Sequence, residues 1–192
     1  ICCDPSLIFE NYEGVSAKRE ACLDLVKNAI EGNHRILIFS QFTSMLDIIA
    51  DDLKREGIKY FTIEGSTPKD KRVELVNQFN EGNVPVFLIS LKAGGTGLNL
   101  TGADMVIHFD PWWNVAAQNP ATDRAHRIGQ TKKVTVYKLI IKNTIEEKII
   151  DRLNKKEQIM LFLNRRGYSG FVSCRDCGEV MFGRAISCGN CA

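Results

Sequence analysis

The chain has 192 residues, 44% of them hydrophobic, which is enough for one domain with a buried core and a small appendage. Its 25 Lys and Arg nearly balance its 23 Asp and Glu, so any surface that binds nucleic acid is expected to be local. The longest apolar stretch, near residues 84–91, is far too short to cross a bilayer, and no apolar leader opens the chain. We therefore expect a cytosolic protein with no membrane partner and, because the sequence opens on Ile1, a fragment of a longer one.

Predicted helices and strands alternate along most of the chain. The first helix has apolar Leu23, Val26 and Ile30 at helical spacing, and it stops at Gly32, which can take the left-handed conformation of a helix end. The strands are short apolar runs bounded by polar residues, which is typical of strands buried on both faces. In order, the predicted elements are a helix at 16–30, a strand at 35–41, a helix at 44–56, a strand at 60–63, a helix with Thr67 as N-cap and Pro68 at its first position, and strands at 84–90 and 105–109.

This alternation implies crossover connections, and hence a mostly parallel sheet with helices on both faces and ligand loops at the carboxyl ends of the strands. One more strand is predicted at residues 133–141. Thr144 and Glu147 then form a capping box for a helix that runs to about Lys156. Beyond Lys156 the sequence turns to an apolar run and then to Gly- and Cys-rich residues. We therefore predict an α/β domain over residues 1–156 and a small Cys-rich appendage over residues 157–192.

Four of the seven cysteines have the spacing of metal ligands. Two C-x-x-C pairs suit a tetrahedral zinc site, and Gly178 and Gly189 suit the tight turns around it. In a reducing compartment such pairs favour thiolate ligation over disulfides, and free thiols in an unfolded tail are the alternative. The predicted zinc ligands are Cys174, Cys177, Cys188 and Cys191, whereas Cys2, Cys3 and Cys22 are expected in the core or on the surface.

Three stretches at predicted strand ends have the residues of ligand loops: ILIFSQF from Ile36, ISLKAGGTGLNLTGAD from Ile89 and DPWWNVAAQNPATDRAHRIGQ from Asp110. In the second stretch, glycines permit backbone angles that let main-chain N–H groups approach a phosphate closely. Lys92 and Thr96 add a cation and a hydroxyl. Such a loop suits a nucleic-acid backbone, and a flexible turn between strands is the alternative.

Arg124 and Arg127 are three residues apart, so on a helix their guanidinium groups project from one face and can meet one phosphate chain. A solvated basic face paired with Asp123 is the alternative. Pro120 lies just before them, and proline inside a helix costs roughly 3 kcal/mol. With Asn119 as N-cap and Pro120 at the first position, the helix that carries both arginines would begin there.

Together the three stretches resemble the ordered motifs of the second RecA-like lobe of Swi/Snf-family helicases, above all in DRAHRIGQ. The resemblance covers residues 1–156 and implies a RecA-like, mostly parallel sheet flanked by helices. It further implies the second motor lobe of a DNA-dependent ATPase that translocates on double-stranded DNA, with an N-terminal helicase lobe as partner and with ATP and Mg shared between the lobes. The compartment would be the bacterial cytosol or nucleoid, or the nucleus in a eukaryote.

The resemblance also assigns roles to single residues. Arg124 and Arg127 correspond to arginine fingers, catalytic groups that contact ATP and stabilise the transferred phosphoryl group. The further ATP contacts are Gly95, Gly97 and Asn99. The nucleic-acid contacts are Ser40, Gln41, Lys92, Gly94, Thr96 and Trp113. Trp112 is expected to pack within the protein. For Ser40 and Gln41, the alternative is that they are simply the polar end of a strand. The family commonly has Gln where this chain has Pro120, which puts the placement of the arginines in question.

The 192 residues contain no G-x-x-x-x-G-K-[ST] phosphate loop and no acidic DEAH-like stretch to hold magnesium. In the Swi/Snf family those parts belong to the first lobe. We therefore expect that this chain alone does not hydrolyse ATP. The alternative function is a non-enzymatic module that uses zinc to bind nucleic acid or protein.

Residues 157–192 resemble a second family, the PriA primosomal helicases, through IMLFLNRRGYSGFVSCRDCGEV. In that family LFLNRRG is a strand of the second lobe, and a zinc-binding insert follows it. The PriA pattern has additional cysteine pairs that this chain lacks. The resemblance therefore implies a strand and the start of a zinc knuckle.

Overall fold

The computed structural model describes residues 3–9, 12, 14, 16–94, 98–110, 134–154, 171–173 and 180–182. The chain divides into two compact units, Ile1–Ile150 and Asp151–Ala192. The domain boundary predicted near Lys156 lies outside the described residues and stays a prediction. Within those ranges, no helix is both long enough and apolar enough to span a membrane.

The first unit alternates helices and strands in the predicted order. It opens with a 3-10 helix, Pro5–Leu7, whose N-cap Asp4 accepts a hydrogen bond from the Ser6 N–H at 2.8 Å. The helices are α1 (Ala17–Glu31), α2 (Thr43–Arg55), α3 (Lys69–Glu81), α4 (Leu91–Gly94) and α5 (Ile145–Asn154). The strands are β1 (Ile36–Ser40), β2 (Tyr60–Ile63), β3 (Val86–Ser90), β4 (Met105–His108) and β5 (Thr135–Lys138).

These five strands form one fully parallel sheet in the order β2-β3-β1-β4-β5. Central β1 places Ile38 beside Leu88 of β3 and Ile107 of β4. The predicted α/β class, with a RecA-like parallel sheet flanked by helices, is confirmed. Because the strands all run the same way, their carboxyl ends lie along one side of the sheet, which we call the carboxyl edge.

Both faces of the sheet are covered at β1, β3 and β4, which is why these three strands are continuous apolar runs and not alternating ones. On one face, Ile38 belongs to a core cluster with residues of α1 and α2. On the other face, Phe39 belongs to a cluster with Phe79 of α3. Burying a side chain of this size contributes about 1.5–3 kcal/mol, so central β1 anchors the unit.

The ends of α1 agree with the prediction except in one conformation. Ser16 is the N-cap, and its Oγ accepts from the Arg19 N–H at 3.2 Å. Gly32 is the C-cap but has a φ of −77°, so the predicted left-handed glycine is wrong. The left-handed conformation is found one residue later, at Asn33, which has a φ of 57°. Asn tolerates this conformation better than most residues.

The start of α3 also differs from its prediction. Pro68 is the N-cap, and it makes no side-chain cap hydrogen bond. The predicted N-cap, Thr67, instead accepts from the Glu64 N–H at 3.0 Å. Its hydroxyl therefore closes the turn before the helix and is not used to cap it.

The capping box of α5 is present with a shift of one position. The Thr144 hydroxyl accepts from the Glu146 N–H at 3.3 Å, where the predicted donor is Glu147. The Glu147 carboxylate accepts from the Asn143 N–H at 2.6 Å, where the predicted donor is Thr144. Two backbone donors are satisfied as predicted, each one residue nearer the amino terminus.

In the second unit, β6 (Phe171–Ser173) and β7 (Val180–Phe182) pair in antiparallel fashion. Ser173 lies beside Val180, so residues 174–179 connect two paired strand ends. The Cys174 and Cys177 pair falls within that connection, outside the described residues. The predicted Cys-rich appendage therefore stays a prediction.

Candidate functional site

The carboxyl edge gathers the end of the first predicted ligand stretch and the starts of the second and the third. Ser40 ends β1 and lies beside Ser90, which ends β3. Phe39 lies beside His108, which ends β4, and the two rings stack with centroids 5.6 Å apart. Asp110, two residues after β4, therefore arrives next to the loop after β1.

Asp110 binds that loop directly. Both of its carboxylate oxygens accept from the Gln41 N–H at 3.1 Å. The Ser40 hydroxyl lies 3.2 Å from the Asp110 Oδ2 and 3.2 Å from the Phe42 carbonyl, and it accepts from the Phe42 N–H at 3.1 Å. The buried Ser40 side chain is thus engaged within the protein, and its assignment to nucleic acid stays a prediction.

Asp110 is buried, and this burial raises the pKa of its carboxyl to about 6. The hydrogen bonds from Gln41 and Ser40 favour the ionised form and limit that rise, as does the nearby positive charge of Lys18. Lys18 itself is paired with Glu146 at 2.8 Å, and its Nζ lies 5.4 Å from the centre of the Phe109 ring. A buried charged cluster therefore lies directly beneath the carboxyl edge.

The loop after β3 begins at the carboxyl edge with the short helix α4. The Ser90 Oγ accepts from the Ala93 N–H at 3.2 Å, as an N-cap side chain does. Lys92 is exposed in this turn, and Gly94 is its last residue. The cation predicted to meet a nucleic-acid backbone therefore lies at the carboxyl edge with its side chain accessible.

The end of the same loop runs back toward the amino ends of the strands. Asn80, near the end of α3, donates from Nδ2 to the Asn99 carbonyl at 2.8 Å and accepts at Oδ1 from the Gly102 N–H at 2.9 Å. The exposed Asn99 is thus held beside the last turn of α3. The structure does not bring it together with Gln41 and Lys92, so its assignment to ATP stays a prediction.

The loop after β2 is a part of the carboxyl edge that the sequence analysis missed. The Arg72 guanidinium donates to the carbonyls of Glu64, Gly65 and Thr67 at 3.2, 2.8 and 2.7 Å. Gly65 and Ser66 remain exposed. The sequence does contain a signal for this loop, namely a Gly-Ser-Thr turn between a strand and a helix, with an arginine in the first turns of that helix.

The other predicted site residues lie outside the described residues, and their assignments stay predictions. These are Gly95, Thr96, Gly97, Trp113, Arg124, Arg127, Cys174, Cys177, Cys188 and Cys191, together with Pro120, whose effect was in question.

The described residues do not build a magnesium or zinc site. Among them, no group of three or more His, Cys, Asp or Glu side chains could hold a metal ion. The Asp110 carboxylate is already engaged with Gln41 and Ser40. Cys3 and Cys22 are buried, and burial raises the pKa of each thiol to about 12, which disfavours the thiolate that a metal requires.

Comparison with known proteins identifies the family of this domain. Residues 17–129, more than half of the chain, match the family described as helicase conserved C-terminal domain. An uncharacterized ATP-dependent helicase of Mycoplasma pneumoniae is 46% identical over 155 residues, which cover 79% of this chain and 15% of that protein. The chromatin-remodeling ATPase INO80 of Eremothecium gossypii is 43% identical over 145 residues, 75% of this chain and 10% of that protein.

Among solved structures, the C-terminal part of the Fun30 ATPase domain matches with a TM-score of 0.69 and 40% sequence identity. The match covers 76% of this chain and 47% of that one. This chain spans only a small part of the length of the curated relatives it matches, and the PriA resemblance of residues 157–192 lies outside the family match and stays a prediction. The chain belongs to the helicase conserved C-terminal domain family, as a C-terminal lobe of the Swi/Snf type.

Proposed function

We propose that this chain is the second motor lobe of an ATP-driven translocase on double-stranded DNA, and that it needs a first lobe for turnover. The observation that carries the proposal is the carboxyl edge. The loops after β1 and β2 are fixed from within by Asp110 and Arg72, while Ser66 and Lys92 are exposed along the same edge. A rigid row of exposed polar groups at strand ends suits a ligand that is held by its backbone.

The nucleic-acid contacts would be to phosphates and not to bases, because translocation must work on any sequence. Lys92 supplies the positive charge, and Gln41, Gly94, Thr96 and Trp113 complete the set predicted from the sequence. To these we add Gly65 and Ser66, since Arg72 holds their loop at the same edge and a glycine there leaves the backbone accessible. Ser40 supports the set from beneath through Asp110 and Phe42.

The ATP contacts would come from the third stretch and from the glycines of the second. Arg124 and Arg127 are proposed as arginine fingers, which stabilise negative charge on a transferred phosphoryl group and are worth roughly a thousandfold or more in rate. Gly95, Gly97 and Asn99 are proposed as further contacts to the nucleotide. When bound, Mg²⁺ would neutralise phosphate charge, and we assign its ligands to the first lobe because these 192 residues contain no DEAH-like acidic stretch.

The absence of a phosphate loop from these 192 residues gives the first test. The purified chain should show no magnesium-dependent ATP hydrolysis, with or without duplex DNA. The same chain fused to a first lobe of this family should hydrolyse ATP, and duplex DNA should stimulate the rate. Robust turnover by the chain alone, or a folded fusion without turnover, would contradict the proposal.

Arginine variants of the fusion give the second test. Arg124→Ala should lower the DNA-stimulated rate by roughly a thousandfold while leaving duplex affinity within about twofold. Arg55→Ala is the matched control, because Arg55 is an exposed arginine at the end of α2, on the opposite side of the sheet from the carboxyl edge. Equal loss in both variants would show that Arg124 has no special role.

A zinc site remains part of the proposal for the second unit. Its support is the β6–β7 pair, because residues 174–179 join two strand ends that lie side by side and contain Cys174 and Cys177. A C-x-x-C turn between paired strands presents two thiolates to one metal ion. Cys188 and Cys191 would complete a tetrahedral set.

A further inference from the structure

Phe42 is an aromatic residue that lies in solvent at the carboxyl edge. It is two residues past the end of β1 and is 46% exposed. The structure describes residues 41–42, 64–68 and 91–94 at the ends of β1, β2 and β3. Within these three loops, Phe42 is the only aromatic residue and the only large hydrophobic one that is exposed. The proposed function gives its ring no role.

The backbone of Phe42 is held by hydrogen bonds on both sides, although its ring is exposed. The Ser40 Oγ accepts from the Phe42 N–H at 3.1 Å and lies 3.2 Å from the Phe42 carbonyl. The same carbonyl accepts from the N–H groups of Met45 and Leu46, in the first turn of α2, at 3.2 and 3.3 Å. The ring is therefore presented to solvent from a fixed backbone position.

The fold gains neither of the usual benefits from a phenylalanine at this position. Phe42 is the N-cap of α2, and it makes no side-chain cap hydrogen bond. Ser, Thr, Asn and Asp are preferred at an N-cap, because their side chains bond to the free N–H groups of the first turn. Nearly half of the residue is exposed, so its burial contributes much less than that of a core phenylalanine. A residue that supplies neither a cap nor a core suits contact with a ligand.

Phe42 is a neighbour of the cation that we propose meets a phosphate. Ser40 and Ser90 are partners in the parallel pairing of β1 with β3, and paired strands lie about 5 Å apart. Phe42 and Lys92 each follow one of these partners by two residues, and both are exposed. An apolar ring and a positive charge therefore leave the sheet from adjacent strands.

The ring differs from Lys92 in the part of a nucleic acid that it suits. Phosphates alternate with sugars along a strand, so a surface that bonds to phosphates also faces the sugars between them. A phenylalanine ring offers a sugar neither a hydrogen-bond donor nor an acceptor. Deoxyribose is apolar at C2′, whereas the 2′-hydroxyl of ribose would lose water against the ring without gaining a partner, which costs binding free energy. An exposed phenylalanine beside a phosphate contact therefore suits DNA better than RNA.

We propose that the Phe42 ring packs against a deoxyribose of the bound strand, so that the carboxyl edge prefers DNA to RNA. This inference rests on the proposed function and deepens it, because it names a residue that selects the sugar. Lys92 and Phe42 then have different tasks. The charge of Lys92 attracts the phosphates of either nucleic acid, whereas the ring of Phe42 discriminates between the two sugars.

Fluorescence anisotropy of the full chain with three duplexes of one sequence tests the proposal. The duplexes are DNA, RNA and 2′-fluoro RNA, which keeps the helix form of RNA but lacks its hydroxyl. The wild type should bind DNA about tenfold more tightly than RNA, and 2′-fluoro RNA within about threefold of DNA, as expected when a hydroxyl is buried without a partner. Phe42→Ser should reduce the preference for DNA to about twofold or less, because serine can bond to the 2′-hydroxyl. Phe42→Leu should keep most of the preference, because leucine is also apolar.

Two controls separate this role from a general one. Val73, on α3, is a second exposed hydrophobic residue, with 54% exposure, and Val73→Ser should keep the wild-type preference for DNA. Phe42→Ser should also be at least as stable in urea as the wild type, because serine is a better N-cap than phenylalanine. A marked loss of stability would show that the ring supports the fold, and it would overturn the proposal.

The remaining outcomes are distinct. A wild type that binds DNA and RNA duplexes equally, or an unchanged DNA preference in Phe42→Ser, overturns the proposal and leaves the proposed function intact. Equal rejection of RNA and 2′-fluoro RNA also overturns it, since helix shape would then be the cause. If Phe42→Ser keeps the preference but the fusion to a first lobe loses ATP hydrolysis, the ring contacts the other lobe and not a sugar. If the wild type binds no duplex of any kind, the proposed function fails, and this inference fails with it.

Discussion

The Nζ of Lys18 lies 2.8 Å from the Oε1 of Glu146, and the two side chains are only 2% and 4% exposed. This pair joins the first turn of α1 to the first turn of α5 across 128 positions of sequence. The Glu146 carboxylate also accepts from the Ile141 N–H at 3.0 Å, so the strand-to-helix turn is bound to the same pair. The two helices are therefore held together beneath the carboxyl edge by charge as well as by packing.

Breaking this pair from one side should destabilise the protein severely. Lys18→Met leaves a buried carboxylate without its counterion, and we expect a loss of about 3–5 kcal/mol in the free energy of unfolding. The double variant Lys18→Met/Glu146→Leu should recover most of that loss, because neither charge remains buried. Urea denaturation at pH 7 measures both effects.

The control for this prediction is a second ion pair in the same protein. Lys27 and Glu56 lie 2.8 Å apart but are 41% and 39% exposed. Lys27→Met should therefore cost only about 0–1 kcal/mol. A similar cost for Lys27→Met and Lys18→Met would show that burial is not the reason for the strength of the Lys18–Glu146 pair.

The sheet was predictable from the sequence because each central strand is a short apolar run with polar ends. Burial on both faces removes the alternation of polar and apolar residues, so β1 and β3 differ from surface strands in the sequence itself. The helices between them were equally clear from apolar spacing. The order of the elements along the chain, the α/β class and the parallel direction of the strands follow from those two patterns together.

The hydrogen bonds that shape the edge were not predictable in the same way. Asp110 and Gln41 are 69 positions apart, and Lys18 and Glu146 are 128 apart, so no local pattern relates them. The misplaced N-cap at Thr67 has a local cause: a threonine in a turn can satisfy either the helix or the turn. In this chain the Thr67 hydroxyl bonds within the turn, because Arg72 binds the carbonyls of the same turn.

Asp110 should make stability depend on pH in the direction opposite to an ordinary carboxylate. Its folded pKa of about 6 lies above the ordinary 3.8, so the folded state keeps a proton that the unfolded state has lost. Its contribution is full below the ordinary pKa and is lost as the pH rises through 6. Relative to Asp110→Asn, the wild type should gain on the order of 3 kcal/mol between about pH 7.5 and about pH 4.

Urea unfolding of both proteins across this pH range tests the prediction, since the difference between them cancels the titrations that they share. A pH-independent difference would mean that the carboxyl group titrates alike in the folded and unfolded chains.

His108 should act against Asp110 within much the same pH range. Burial, and to a smaller extent the positive charge of Lys138, lowers its pKa from 6.5 to about 4. The stability that it contributes is present above pH 6.5 and is lost as the pH falls through 4. Relative to His108→Gln, the wild type should lose on the order of 3 kcal/mol between about pH 7 and about pH 4.

The two effects are separable because the variants should shift the pH profile in opposite senses. Relative to the wild type, Asp110→Asn should lose more stability toward acidic pH and His108→Gln should lose less, since the two groups contribute with opposite sign. Parallel profiles of stability against pH for His108→Gln and the wild type would mean that His108 does not contribute to the pH dependence.

Zinc should copurify with the full chain when no chelator is used. The predicted ligands are thiolates in two C-x-x-C pairs, one of them between the paired ends of β6 and β7. We expect a stoichiometric amount by elemental analysis, and a large loss in Cys177→Ser. Cys3→Ser should keep the metal, because Cys3 is buried in the first unit. Only a trace of zinc in the unaltered chain would reject the site.

Lys92 should contribute to duplex binding through its charge alone. It is exposed in α4 at the carboxyl edge, where we propose that it meets a phosphate. Lys92→Ala should weaken binding of the full chain to duplexes of any sequence by a similar factor. It should also reduce the slope of log affinity against log salt by about 1, because one fewer counterion is released.

The matched control is Lys59, which is also exposed but precedes β2 and so lies at the opposite side of the sheet. Lys59→Ala removes the same charge from the protein, so an effect of net charge alone would appear equally in both variants. A salt slope that falls for Lys92→Ala and not for Lys59→Ala assigns the phosphate contact to the carboxyl edge. Equal slopes in the two variants would place the DNA elsewhere on the lobe, and the exposed loops after β2 and β3 would then need another ligand.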